Sequence, residues 1–233
     1  MTIAENIKII MNNVAAISQK SGRGELPVVA AVTKTRNAAE INEAINAGIT
    51  VISENKAQEL SAKYADIALS PEISVHFIGH LQTNKIKYII DKVDMVESLD
   101  SFHLANALDE ACRQKGRTLD VLIQINIGNE PQKHGFAVSE LFEATEMIEK
   151  LDTLKLRGLM AILPLDADVS MQRKYFSKMY QLFLDMRAKK EDNNIINILS
   201  MGMSGDYETA IECGATLIRL GTAVFGARNY NTN

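Results

Sequence analysis

The chain is short of the features that mark several protein classes. Its 233 residues include two cysteines, four prolines, four histidines and no tryptophan. Cys112 and Cys213 lie far apart without a Cys-x-x-Cys pairing, which argues against a disulfide framework or a cysteine zinc site and points to a reducing cytoplasm. No metal site is expected. No segment reaches the roughly 18 uninterrupted apolar residues of a membrane-spanning helix. The opening MTIAENIKII lacks the basic-then-apolar build of a secretory signal. Basic charge is short as well: 25 Lys and Arg against 29 Asp and Glu leave a formal charge of −4. Nucleic acid binding needs a concentrated basic face, so neither a nucleic acid nor a membrane is expected as a partner. What remains, 46 % hydrophobic and 23 % charged residues, is an ordinary globular composition, long enough to bury a sizeable core. No linker or low-complexity tract divides the chain, so residues 1–233 are expected to form one domain.

Hydrophobic spacing organises that domain. Ile3, Ile7, Ile10, Met11, Val14 and Ile17 recur every three or four residues, predicting an amphipathic helix over 2–21. Eight apolar runs of strand length then begin near residues 28, 50, 74, 94, 120, 155, 195 and 216. Each is followed by a helical segment, the last one short. Strands that are apolar nearly throughout, joined by helices, imply a parallel sheet covered by helices. Eight such units in one chain favour an α/β fold of the closed (β/α)8 TIM-barrel type with an extra N-terminal helix. A doubly wound open sheet is the alternative, because periodicity does not prove closure.

In such barrels reactive groups sit at the carboxyl ends of the strands. That rule selects Lys34, Asn55, His80, Asn126 and Met160 after the earlier strands. It adds the stretch from Ser200 to Gly205 and Arg219 to Thr222 after the last two. Lys34 directly follows an apolar strand, the setting of a nucleophilic amine, although a strand-end lysine also snorkels into water. Barrels often bind phosphate at the loops after strands 7 and 8 through backbone N–H groups. Ser204-Gly205 and Gly221-Thr222 stand in those two places. Arg219 lies two residues before Gly221 and so points to the same side of its strand. A buried arginine needs an acceptor: either a structural ion pair, with Glu54 or Asp206, or a bound ligand. An amine for an aldehyde, a phosphate cradle and an arginine together suit pyridoxal phosphate.

Several stretches carry a resemblance. They are AVTKT around Lys34, SENKAQE at 53–59, HFIGHLQTNK at 76–85, HGF at 134–136, RGLMAI at 157–162, LSMGMSGDYETAIECGAT at 199–216 and IRLGTAVFGAR at 218–228. In these the chain resembles the pyridoxal phosphate homeostasis protein family along its whole length. The resemblance implies the barrel of the alanine racemase N-terminal domain, with pyridoxal 5'-phosphate held as an internal aldimine on Lys34. It implies that Ser204, Gly205, Gly221 and Thr222 hold the phosphate, that Arg219 faces the pyridine nitrogen, and that Asn55 and His80 line the ring side. Met201 is placed near the cofactor, or else is barrel filler. One departure stands out: Ser53 occupies a position where the family usually has glycine. If that glycine serves a positive φ, the loop must differ here.

Two functions compete. One is a non-catalytic protein that stores, buffers or delivers the cofactor. It would be a cytoplasmic monomer whose partners are pyridoxal phosphate, related B6 vitamers and the apo-enzymes that use them. The other is a pyridoxal phosphate-dependent amino-acid racemase. Related racemases take a second acid/base from an additional domain, and this chain stops at Asn233 just after the eighth unit, which favours the non-enzyme. An arginine at the ring nitrogen weakens the ring as an electron sink, which disfavours transamination and decarboxylation but does not exclude racemisation, because by resemblance alanine racemases share this arginine. Elsewhere, His76 is expected to pack against a helix, the methionines to fill the core, and 189–192 to form a solvated helix end.

Overall fold

A computed structural model describes residues 1–22, 26–189 and 195–227. The chain opens with α1 (Ile3–Ser21). Seven strand–helix pairs follow: β1 (Val28–Val32) and α2 (Ala38–Asn46), β2 (Val51–Glu54) and α3 (Ala57–Lys63), β3 (Ser74–Phe77) and α4 (Ile86–Ile89), β4 (Met95–Leu99) and α5 (Phe102–Lys115), β5 (Leu119–Ile125) and α6 (Leu141–Ile148), β6 (Leu154–Ala161) and α7 (Val169–Ala188), then β7 (Ile198–Ser200) and α8 (Tyr207–Glu212). β8 (Leu217–Leu220) and the one-turn α9 (Thr222–Phe225) complete the series.

All eight strands are parallel, in the order β1 to β8, and β8 closes on β1 through the register Val28↔Leu217 to Ala31↔Leu220. The sheet is therefore a closed (β/α)8 barrel, and the open-sheet alternative is set aside. All eight strand starts fall within three residues of their expected places; the largest offset is β7, which begins at Ile198. Of the expected solvated run 189–192, only Lys189 lies within the described residues, and its ammonium sits 3.3 Å over the Phe142 ring.

Local chemistry sets the helix ends. Thr2 and Glu5 form a reciprocal capping box at the start of α1, and Asn37 and Glu40 form another at α2. Gly116 ends α5 in the left-handed conformation with φ 63°. The N-terminal helix has a definite job. Four-residue α9 is too short to cover its side of the barrel. α1 packs there instead, against α8, α9 and α2, burying Ile7, Ile10 and Val14. Asn6 secures it by donating to the Val224 carbonyl at 2.9 Å.

The main core lies between barrel and helices, where outward residues such as Ala31, Ile52, Phe77, Val96 and Leu199 meet the helical stripes. The barrel interior is filled in tiers. Its amino-terminal end is apolar, with Ala30, Val51 and Leu217 in one cluster and Met95, Leu122 and Met160 in another. Burial of Met160, Met179 and Met186 bears out their reading as filler.

Gly158 is required where β6 slips past β5. The register jumps from Val121↔Leu156 to Leu122↔Gly158, and Gly158 has φ 151°. A Cβ there would lie 1.8 Å from the Ile198 carbonyl oxygen, against backbone that cannot step aside. Gly158→Ala is expected to cost about 3 kcal/mol of stability, read as a lowered urea midpoint with an unchanged slope.

Candidate functional site

A cavity of about 520 Å³ opens at the carboxyl end of the barrel. Eight of the nine residues expected to bind a cofactor line it together: Lys34, Asn55, His80, Ser204, Gly205, Arg219, Gly221 and Thr222. Asn126 lines it too. Met201 does not. It is wholly buried in the core outside the barrel, because residues alternate across a strand and its neighbour Ser200 takes the inward place. Met203, after the turn at Gly202, is the methionine that reaches the cavity.

The backbone around Lys34 is tightly held. Thr35 adopts φ 63°, a left-handed conformation that costs a branched residue about 1–2 kcal/mol. Polar clamps compensate. Buried Lys63, from the end of α3, donates to the carbonyls of Thr33 at 2.8 Å and Arg36 at 3.2 Å. It also pairs with Glu54 at 2.5 Å and Glu59 at 3.0 Å. Glu59 in turn accepts the Thr35 N–H at 2.5 Å. Both flanks of Lys34 are thus anchored to α3. Its own ammonium, half-buried, has no hydrogen-bond or ion-pair partner among the described residues.

Asn55 owes its place to Gly79, where a Cβ would lie 2.1 Å from the Asn55 carbonyl oxygen. Its side-chain Oδ1 is buried without a partner. Ser53 sits within regular β2, paired with Val32 and His76. It is not among the residues of positive φ, so the chain runs through this position without needing glycine.

The loops after β7 and β8 meet. Ser204 Oγ accepts from the N–H groups of Gly221 at 3.3 Å and Ala223 at 3.2 Å. The N–H groups of Ser204, Gly205 and Thr222 donate to no acceptor among the described residues. The space beside Gly205 is open, with nothing within 4 Å of where a Cβ would stand. Free backbone donors around open space make an anion cradle. The turn is fixed by Asp206, whose carboxylate accepts the Met203 N–H at 2.6 Å. Burial pushes that carboxyl above its ordinary value, with the Met203 bond and Arg219 pulling back.

Arg219 pairs with neither Glu54 nor Asp206. Glu54 is taken by Lys63, and the acceptor is Glu97, which β4 sends into the barrel 3.7 Å from Arg219. The guanidinium also donates to Ser200 Oγ and, at 2.8 Å, to the Ala161 carbonyl. Glu97 is bonded in addition to Ser200 at 2.5 Å and to His76 Nδ1 at 2.6 Å. His76 thus faces the barrel interior, contrary to its expected packing against a helix, because Glu97 offers it a buried partner. Burial raises the Glu97 carboxyl, but the His76 bond and the charges of His76 and Arg219 outweigh it and hold it below its ordinary value. Burial lowers the Arg219 guanidinium, against the raising effect of Glu97 and Asp206.

Sequence reasoning passed over this tier and the Lys63 clamp. The signal for the tier was available: His76 and Glu97 are polar residues inside otherwise apolar strand segments. A carboxyl lowered in the folded state stabilises above its ordinary value of 4.5, and that stability is lost as pH falls through the lower folded value. Urea midpoints should accordingly drop on acidification below 4.5, and less steeply in Glu97→Gln. That variant should already be about 3 kcal/mol less stable at neutral pH, with Arg219 left uncompensated.

Residues 6–229 match the family described as alanine racemase, N-terminal domain. A pyridoxal phosphate homeostasis protein of Pasteurella multocida is 39 % identical over 233 residues, covering 99 % of this chain and 100 % of that one. PipY of Synechococcus elongatus PCC7942, solved with PLP bound, superposes with TM-score 0.81 at 30 % identity, covering 97 % of this chain and 100 % of that one. An alanine racemase of Clostridium difficile 630 shares the fold at TM-score 0.74 and 15 % identity, with 97 % of this chain matching 58 % of that one. The chain belongs to the alanine racemase N-terminal domain family and, within it, to the pyridoxal phosphate homeostasis proteins.

Proposed function

We propose that this protein binds pyridoxal 5'-phosphate in the barrel mouth and serves its homeostasis, storing, buffering or delivering it without robust catalysis. The observation that carries the reading is a single cavity holding the unpaired amine of Lys34 and the unpartnered N–H groups of Ser204, Gly205 and Thr222. An aldehyde and a phosphate on one small molecule match those two features. The names of the homologous proteins and the bound PLP of PipY support the same cofactor.

Lys34 would hold the aldehyde carbon. Ser204, Gly205, Gly221 and Thr222 would hold the phosphate, and Asn55 and His80 would border the ring. Bound there, the cofactor supplies an aldehyde that an amine can capture and a ring that withdraws electrons. Arg219 moderates the second property. Its guanidinium offers donors only, so a ring nitrogen facing it accepts a hydrogen bond and stays unprotonated. That disfavours strong carbanion stabilisation, and with it transamination and decarboxylation, but it does not by itself separate the homeostasis role from racemisation; the names of the homologous proteins support the former. The reading treats 1–233 as one cofactor-binding domain, acting as a cytoplasmic monomer that passes cofactor to apo-enzymes. No helix among the described residues is long and apolar enough to cross a membrane.

Purified protein mixed with pyridoxal phosphate should develop a visible absorption band. Borohydride should then fix the cofactor on the Lys34 peptide, and Lys34→Ala should abolish both signals. No band after adding cofactor would overturn the proposal. Ser204→Ala, which removes a cradle hydroxyl, should weaken cofactor binding about tenfold, corresponding to one charge-assisted hydrogen bond. The loaded protein should restore an apo-enzyme while leaving L-alanine unracemised; sustained racemisation would assign it to the enzymes instead.

A further inference from the structure

His80, Asp100 and His134 converge on the rim of the cavity, from the carboxyl ends of three successive strands. His80 follows β3, Asp100 follows β4, and His134 lies in the loop after β5. Each offers a ligand atom within 4.8 Å of the other two. His80 Nδ1 lies 2.6 Å from Asp100 Oδ2, and His134 Nδ1 lies 3.9 Å from that same oxygen. The two imidazoles stack with ring centroids 3.6 Å apart. We infer that these three residues form a binding site for a divalent transition metal of the zinc class, separate from the Lys34 and phosphate positions.

The argument begins with Asp100. Its side chain is 4 % exposed, yet among the described residues its ion-pair partners are two imidazoles and no Lys or Arg. A buried carboxylate needs positive charge beside it, and a metal ion bound by neutral imidazoles would supply that charge. The donor set is diagnostic. Two imidazoles and one carboxylate suit zinc and its neighbours, whereas Mg²⁺ and Ca²⁺ prefer oxygen.

The spacing of the ligand atoms lies close to what such an ion requires. Bonds of about 2.0–2.2 Å in a tetrahedral site put ligand atoms about 3.3 Å apart. The 2.6 Å separation would open and the 3.9 Å one would close, each by less than about 1 Å. Rings stacked 7° from parallel do not both aim a lone pair at one ion, so binding would also turn the imidazoles out of their stack about their side-chain torsions. Both imidazoles have room to do so, with side chains 42 % and 55 % exposed.

The backbone carrying His134 is nevertheless pinned. Its carbonyl accepts from Gln124 Nε2 at 2.8 Å, and Phe136 pairs with β5 through Gln124 and Asn126. Phe136 also packs edge-on against Phe102 at the start of α5. Three protein ligands leave a fourth coordination position for water or for an anionic group of whatever molecule enters the cavity. The expectation of no metal site drew on cysteine spacing, whereas these three residues are brought together by strand order.

The test uses the full chain, untagged, freed of metal by chelator dialysis and free of cofactor, so that it stands apart from the pyridoxal phosphate reading. Zn²⁺ is titrated in competition with a chromophoric chelator. Wild type should take up one equivalent, and His134→Ala and Asp100→Asn should each bind at least tenfold more weakly. Circular dichroism verifies folding, and exposed His134 makes its alanine variant the decisive one. Co²⁺ in place of Zn²⁺ should give visible d–d bands that His134→Ala loses. Failure of wild type to compete for Zn²⁺, or uptake unchanged in a folded His134→Ala, overturns the inference and leaves the cluster as a hydrogen-bonded imidazole pair.

Discussion

A guanidinium inside a closed barrel has no water to solvate it, and the middle of this structure is arranged around that fact. Arg219 enters the interior because the alternation of β8 leaves its side chain no other direction. Its charge is met by Glu97, its N–H groups by Ser200 and Ala161, and the remaining demand of Glu97 by His76. Contributions from β3, β4, β6, β7 and β8 are thereby tied into one polar tier between the apolar plug below and the cavity above. Replacing such a set by hydrocarbon often costs a protein nothing in stability. What the tier provides is a cation held in one orientation at the floor of the cavity.

The same division of labour governs Lys34. A branched residue in a left-handed conformation directly follows it, and Lys63, Glu54 and Glu59 hold the backbone on either side. The amine that faces the cavity is left without a protein partner, while every group that could let it drift is bonded. Binding energy is not then spent on ordering the lysine's backbone when a ligand arrives.

Much of this was legible in the sequence, for identifiable reasons. Strand and helix order followed from apolar runs alternating with amphipathic ones. Once a barrel was inferred, the rule about strand ends picked out Lys34, Asn55, Ser204 and Arg219. Met201 failed because the parity of a three-residue strand could not be fixed by pattern alone. The partner of Arg219 was passed over although ordinary alternation places it: Glu97 lies two residues after the inward Met95 and shares its face. Lys63 is an ordinary helical lysine by pattern, and only its reach to the loop after β1 shows whom it serves. The three rim residues come from separate strand ends and are joined by no local spacing.

Closure of the sheet by β8 against β1 also has a consequence in time. Lys34 and the loop that carries Gly221 belong to neighbouring strands at opposite ends of the chain, and Asn6 must wait for Val224, 218 positions away. During synthesis α1 therefore emerges with an apolar stripe and nothing to set it against, and Lys34 is present long before any cradle exists. A chain that has not yet formed β8 lacks the part of the cavity wall that Arg219, Gly221 and Thr222 supply. Such long-range pairing is slow to form, and the cavity wall is complete only once β8 has docked on β1.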